Sequence, residues 1–306
     1  MHNSYFSRRL TSQDTCAIVR AYWSSKLGDE IVHPLVRIGY TTVPTYQVCL
    51  AVAFLVGTIL LIDANRRSVS PLRIGPFMIV PLYLASLLGA RLMSTLMPQT
   101  APVDSTALAL WKGGYWYHGG LIGGIAAYAL YHAMRKNSIL DASDLVVPFV
   151  CLGEGITRIG CFLSGCCWGK PVTTLPGVVY PRASHVWAQQ LHDGLITESA
   201  AKALPVHAVQ LYMSILMLIL FVLLRLVSAR RIVAGEITLL FLVAHCFVRF
   251  WIECLRADID KAALGLSATQ WTCAVVYVAA LSPLMYVYGR KRAEIRVVAY
   301  GKAAPA

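Results

Sequence analysis

The chain has 306 residues, of which 57% are hydrophobic and 14% charged, with a formal charge of +12. Soluble domains carry roughly 25% charged residues, so this composition excludes an ordinary soluble enzyme and points to a membrane protein. The positive charge does not point to nucleic acid, because Lys and Arg fall in short clusters between apolar stretches, the pattern that orients membrane spans.

Residues 1–43 are mixed and polar. They lack a basic start followed by an apolar run and a small-residue cleavage site, so they are expected to form a periplasmic or interfacial segment rather than a removable signal peptide. Apolar stretches over 44–62, 76–97, 117–134, 144–163, 207–227, 235–255 and 268–288 predict about seven transmembrane helices. The expected fold is an all-α, polytopic membrane protein. Arg66, Arg67 and Arg73 follow the first span, Arg135 and Lys136 the third, Arg230 and Arg231 the fifth, and Arg290, Lys291, Arg292 and Arg296 the seventh. By the positive-inside rule these loops and the basic tail 289–306 are cytoplasmic, which places the N-terminus outside.

The stretches 98–116 and 164–206 then also lie outside. The longer one carries Pro171, Pro176, Pro181 and Pro205 and is expected to hold short helices, one around 183–192, resting at the interface as a lid. No internal repeat or second soluble domain is visible, and 44–288 reads as one transmembrane domain.

Ionisable groups inside these spans demand a reason, since a central Arg or Asp costs about 2.5–3.5 kcal/mol on insertion scales. The inward-running spans carry polar residues at their outer ends: Tyr46, His118, His207 with Gln210 and Tyr212, and Gln270. The outward-running spans bring Arg91, Glu154 with Arg158, and Arg249 with Glu253 and Arg256 toward the same level. Glu154 and Arg158 are four apart, as are Arg249 and Glu253, so each pair shares a helix face. One such pair as often merely neutralises itself as marks a site; two pairs and a histidine at one depth point to a polar cavity. The guanidinium fork suits phosphate oxygens, and a lipid phosphodiester is the nearest anion at that depth.

His118, in W-K-G-G-Y-W-Y-H-G-G-L-I-G-G, is a candidate general base or phosphate donor, although a lone histidine is more often structural. Gly119 with Gly123 and Gly120 with Gly124 recur four apart and allow close helix approach, for which packing is the ordinary role.

Of nine cysteines, Cys49, Cys151, Cys246, Cys254 and Cys273 fall in apolar runs, where a thiol acts as a small hydrophobe. Cys161, Cys166 and Cys167 cluster in R-I-G-C-F-L-S-G-C-C-W-G-K-P at the outer mouth of the fourth span. Three readings stay open for them: zinc with His185 or His192 as a fourth ligand, a disulfide with one thiol left over, or packing thiols.

Taken in order, P-T-Y at 44–46, G-A-R-L at 89–92, W-K-G-G-Y-W-Y-H-G-G-L-I-G at 111–123, S-D at 143–144, R-I-G-C-F at 158–162, Q-L-Y at 210–212, R-F-W-I-E-C-L-R at 249–256 and G-L-S-A-T-Q at 265–270 resemble the bacterial prolipoprotein diacylglyceryl transferase family. The resemblance implies a multi-pass protein of the bacterial inner membrane with its site facing the periplasm. It further implies transfer of diacylglyceryl from phosphatidylglycerol to the lipobox cysteine of a prolipoprotein signal peptide, releasing glycerol phosphate, with no metal or organic cofactor. His118, Arg158, Arg249 and Glu253 match the catalytic positions: the arginines would stabilise the departing phosphate, and His118 or Glu253 would accept the thiol proton. Tyr46, Arg91, Gly119, Gly120, Glu154, Gly160, Cys161, Cys166, Gly169, Gln210, Tyr212, Arg256 and Gln270 match positions expected to bind substrate, with membrane lipids around the acyl chains.

Three positions depart from the family pattern. Cys161 stands where the signature has Asn, Cys166 where it commonly has Glu, and Met213 where an acidic residue usually follows Q-L-Y. This C-x4-C-C version resembles a divergent branch. It leaves two further readings: a non-catalytic or altered-specificity lipid-binding or transport relative, and a membrane thiol or metal protein built on Cys161, Cys166 and Cys167.

Overall fold

The computed structural model describes residues 35–38, 41–68, 76–96, 117–136, 138–173, 177–182, 184–259 and 263–301. A short antiparallel hairpin, β1 (Leu35–Ile38) and β2 (Thr41–Pro44), pairs Val36 with Val43 and runs directly into α1 (Thr45–Arg66). The rest is helical: α2 (Pro76–Leu96), α3 (Tyr117–Arg135), α4 (Ile139–Ser164), α5 (His185–His192), α6 (Val209–Ser228), α7 (Glu236–Cys254) and α8 (Ala268–Gly301).

Seven of these helices are long, matching the seven predicted stretches, and six (α1, α2, α4, α6, α7 and α8) are long and apolar enough to cross a membrane. The glycines, tyrosines and histidines of α3 dilute its apolar content, so it falls short of that measure although it packs lengthwise along α2. Two boundaries differ from the sequence expectation by five residues or more. Helix α4 begins at Ile139 instead of 144, because Ser138 caps it by accepting the Asp141 N–H at 3.2 Å. Helix α8 continues past 288 to Gly301, through the basic tail.

The long helices pair as α2 with α3, α1 with α4, α4 with α6, and α7 with α8. Small residues set the close approaches. A Cβ on Gly89 would run into the Gly119 carbonyl and come within 3.1 Å of the Gly123 Cα, and a Cβ on Gly160 would lie 2.7 Å from the Cys49 Cβ. Ser214 Oγ on α6 donates to the Gly155 carbonyl on α4 at 2.8 Å, which ties the two helices where their backbones meet. Between α4, α6 and α7 lies a core of Cys151, Met213, Met217, Leu220, Ile237 and Ile252. The outward faces are apolar too: Leu55, Ile59, Leu84, Ile125, Leu226 and Val275 are exposed, as expected of surfaces that face lipid tails instead of water.

The S-D landmark has a structural role. Asp144, buried on α4, reaches the start of α7, where Oδ2 accepts the Gly235 N–H at 2.8 Å and Oδ1 accepts the Thr238 N–H at 2.9 Å and its hydroxyl at 2.8 Å. These satisfy donors that a helix N-terminus otherwise leaves orphaned. Arg231 adds an ion pair to Asp144 at 3.2 Å.

Between α4 and α6 the chain folds into a small module. It contains α5, capped by Ser184 on the Trp187 N–H at 3.2 Å, close to the helix expected around 183–192. The sequence did not disclose the rest: backbone bridges join Pro171 and Val178 to Val206 and Pro181 to Lys202, around a core of Phe162, Val178, Tyr180, Val186, Ala203 and Val206. Gln190 clamps Leu204, accepting its N–H at 2.6 Å and donating to its carbonyl at 3.2 Å.

Candidate active site

Two helices with residues spaced by fours supply the charges. On α4, Arg158 donates to Glu154 at 3.0 Å. On α7 the Arg249–Glu253 pair closes at 2.9 Å, and Arg256, just past the helix end, approaches the same Glu253 oxygen at 3.5 Å. The helices are cross-linked by His245, whose Nε2 lies 2.9 Å from the second Glu154 oxygen. His245 was not among the residues singled out from sequence. The signal was present, since His245, Arg249 and Glu253 continue one spacing of four along a single face.

Each arginine is therefore held by a carboxylate behind it. Arg256 makes a bidentate pair with Asp258, both bonds at 2.9 Å. Glu253, with a side chain 1% exposed, also accepts the Ser267 hydroxyl at 3.1 Å. Ser267 and Gln270 in turn form a capping box at the start of α8: the Gln270 N–H donates to Ser267 Oγ at 3.1 Å, and Gln270 Oε1 accepts the Ser267 N–H at 2.9 Å. Gln270 thus sits one step behind the arginines, acting through Ser267 and Glu253.

The arginines open on a narrow recess, lined by Arg158, Cys167, Val209, Gln210, Met213, Arg249, Ile252 and Arg256. Two polar atoms of its lining are buried and unpartnered among the described residues: Arg158 Nε and Gln210 Oε1. One is a donor and one an acceptor. Gln210 Nε2 is engaged, donating to the Cys166 carbonyl at 2.7 Å and to the Tyr180 hydroxyl oxygen at 3.3 Å. Burial pushes the Tyr180 phenol up to about 12, so it stays protonated.

A C-terminal turn shapes the cysteine cluster. The Gly165 N–H bonds to Phe162 O and the Cys166 N–H to Cys161 O, both at 3.1 Å, with Gly165 left-handed at φ 69°: a Schellman motif that reverses the chain over the end of α4. The Sγ atoms of Cys161, Cys166 and Cys167 lie within 4.8 Å of one another, and all three thiols are free. The Cys161 and Cys166 sulfurs, then Arg256 and Arg158, draw the Cys167 thiol well below the usual thiol range, while contact with Cys161 and Cys167 raises Cys166. Among the described residues, the cluster includes neither His185 nor His192.

Beyond Cys167 the chain runs between two neighbours. The Gly169 N–H bonds to His207 O at 3.1 Å, the Lys170 N–H to Leu255 O at 2.7 Å, and Lys170 Nζ caps the end of α7 through Cys254 O at 2.7 Å. A Cβ on Gly169 would lie 2.6 Å from the His207 Cβ, so the close approach admits glycine alone. Tyr46 starts α1 beside Gly160, and Tyr212 is half-buried against the α6 core, its ring 6.3 Å from that of His207.

Not every sequence candidate enters the recess. Arg91 is buried on α2, and Gly119 and Gly120 sit in the α2–α3 contact. His118 occupies the first turn of α3, and its side chain lies outside the described part of the structure.

The model of the family described as prolipoprotein diacylglyceryl transferase matches residues 33–286. A relative from Synechococcus elongatus, named phosphatidylglycerol--prolipoprotein diacylglyceryl transferase, is 31% identical over 270 residues, covering 84% of this chain and 88% of its own length. Relatives of the same name come from Paracidovorax citrulli, 32% identical over 60% of this chain, and Aromatoleum aromaticum, 34% identical over 62%. The chain spans 63% of the length of the Paracidovorax protein and 69% of the Aromatoleum protein. The helical membrane fold, the ordered landmarks and a family match over most of the chain agree: the protein belongs to the prolipoprotein diacylglyceryl transferase family, a family of transferases.

Proposed function

We propose that the protein transfers diacylglyceryl from phosphatidylglycerol to the lipobox cysteine of a prolipoprotein, from the periplasmic side of the bacterial inner membrane. Arg158, Arg249 and Arg256 lining one recess, each backed by a carboxylate, carry this reading. The acceptor sulfur attacks the glyceryl carbon that bears the phosphate ester. A C–S bond forms, the C–O bond breaks, and glycerol phosphate leaves with the electron pair. Negative charge grows on that oxygen in the transition state, where preorganised donors in a site screened from water are worth most. Arg158 Nε supplies an uncommitted donor, and the carboxylates behind the arginines hold them in place at no cost of reorganisation during the step. The thiol proton goes to His118 or Glu253. Tyr46, Tyr212 and Gln210 flank the headgroup, and the apolar faces of the surrounding helices hold the acyl chains with lateral access from the bilayer.

In this reading α1, α3, α6 and α8 run inward, the module 165–208 lies outside over the recess, and the basic tail is cytoplasmic. Purified protein, labelled phosphatidylglycerol and a lipobox peptide test it. Thioether product should form with wild type and fall by about 10²-fold or more with Arg158→Ala, with partial recovery in Arg158→Lys. Failure of wild type to form any thioether would reject the reading in favour of a lipid-binding relative.

A further inference from the structure

We infer that Cys161, Cys166 and Cys167 form a three-thiolate site for a thiophilic d10 cation, Zn2+ or Cu+, at the edge of the arginine recess that Cys167 lines.

Four observations carry this. First, all three Sγ atoms converge within 4.8 Å, whereas tetrahedral thiolate coordination at a Zn–S distance of about 2.3 Å needs sulfurs about 3.8 Å apart, a shift of an ångström or less. A disulfide uses two sulfurs and gives no reason for the third to join them. Second, the backbone is shaped for the purpose. Neighbouring side chains ordinarily diverge, but Cys167 takes a left-handed φ of 59° directly after the Schellman turn, bringing both vicinal sulfurs to the Cys161 side. That conformation is unfavourable for a residue with a Cβ, and such strain persists where the surroundings enforce it. Third, the loop is fastened from α6: Gln210, 2% exposed, donates to the Cys166 carbonyl at 2.7 Å, the kind of outer bond that holds a ligand residue in place. Fourth, Arg158 and Arg256 share the recess with Cys167 and offset the negative charge left by three thiolates and one cation.

Three protein sulfurs leave room for a further ligand, and Cys167 is the member of the trio that lines the recess. On the transferase reading, and only for this point does the inference rest on it, a cation held by these sulfurs would favour the thiolate form of an acceptor thiol brought beside it.

The test uses full-length, tag-free protein in detergent, reduced, desalted without oxygen and titrated with Co2+ as a spectroscopic substitute for Zn2+, or with Cu+ against a chromogenic chelator. One ion per chain should bind, with a sulfur-to-cobalt charge-transfer band in the near ultraviolet. Cys161→Ser, Cys166→Ser and Cys167→Ser should each weaken binding at least tenfold, while Cys254→Ser, outside the cluster, should not. A second measurement needs only wild type: bound Zn2+ should protect these three thiols from alkylation, read by mass spectrometry of the peptides. Wild type that binds neither ion, equal binding by the serine variants, or unprotected thiols would overturn the inference. None of these readouts requires turnover, so bound metal without thioether product in the assay above rejects the transferase reading and leaves the metal site standing.

Discussion

Arg158, Arg249 and Arg256 keep their charges in a poor solvent because each is matched at close range. Glu253 carries the heaviest share: it faces two arginines and the Ser267 hydroxyl from a side chain 1% exposed. Removing one partner of a buried ion pair is far more harmful than removing both, because the survivor is left unpaired. Glu253→Gln should therefore destabilise the protein by about 3–5 kcal/mol, seen as a lower thermal midpoint in detergent; an unchanged midpoint would show that Glu253 is not the keystone of the pair. His245→Ala should leave the fold intact but free Glu154 and with it the aim of Arg158, lowering the rate of thioether formation more than it raises the KM for lipid. A change confined to KM would assign His245 to lipid binding instead. The i, i+4 pairs were legible in the sequence because helical periodicity fixes which residues share a face. The His245–Glu154 bridge was not, since it depends on how α4 and α7 are rotated toward each other.

At the scale of elements, the termini of helices do more than end them. Asp144 leaves its own helix to cap α7, and its replacement by Ala strips two backbone donors and a hydroxyl of their acceptor. Asp144→Ala should cost about 1–3 kcal/mol and increase hydrogen exchange in the first turn of α7, whereas the rest of that helix stays protected. Exchange spread evenly along α7 would show that Asp144 does not act as a local cap. The α2–α3 contact makes an opposite demand, for absence of side chains. Gly123→Val places methyl groups where a Cβ would already strike the Ala85 carbonyl, and should cost at least about 1–3 kcal/mol, with splaying of the two helices. Unchanged stability would mean that the helices do not approach as closely as these glycines allow. The recurrence of Gly119 with Gly123 showed in sequence that something must come close; that its partner is Gly89 on α2 was not written there.

For the whole molecule, the proposed orientation rests on charge. Arg66, Arg67, Arg135, Lys136, Arg230, Arg231 and the cluster around Arg290 lie at alternate helix ends, so a reporter fused after residue 301 should show cytoplasmic activity, and one inserted near Gly194, in the module between α4 and α6, periplasmic activity. Reporters with the opposite pattern would put the arginine recess on the wrong side for an exported acceptor. The number of long helices and their approximate limits were fixed by local composition, because a bilayer requires an apolar run of defined length whatever its neighbours are. So were the ion pairs, whose spacing is a property of one helix. Tertiary structure alone decided that Arg158, Arg249, Arg256 and Gln210 face one recess while Arg91 does not, and that three cysteines spaced one and five apart bring their sulfurs together. Those facts depend on helix rotation and on two left-handed residues, Gly165 and Cys167, and neither leaves a periodic trace in the chain.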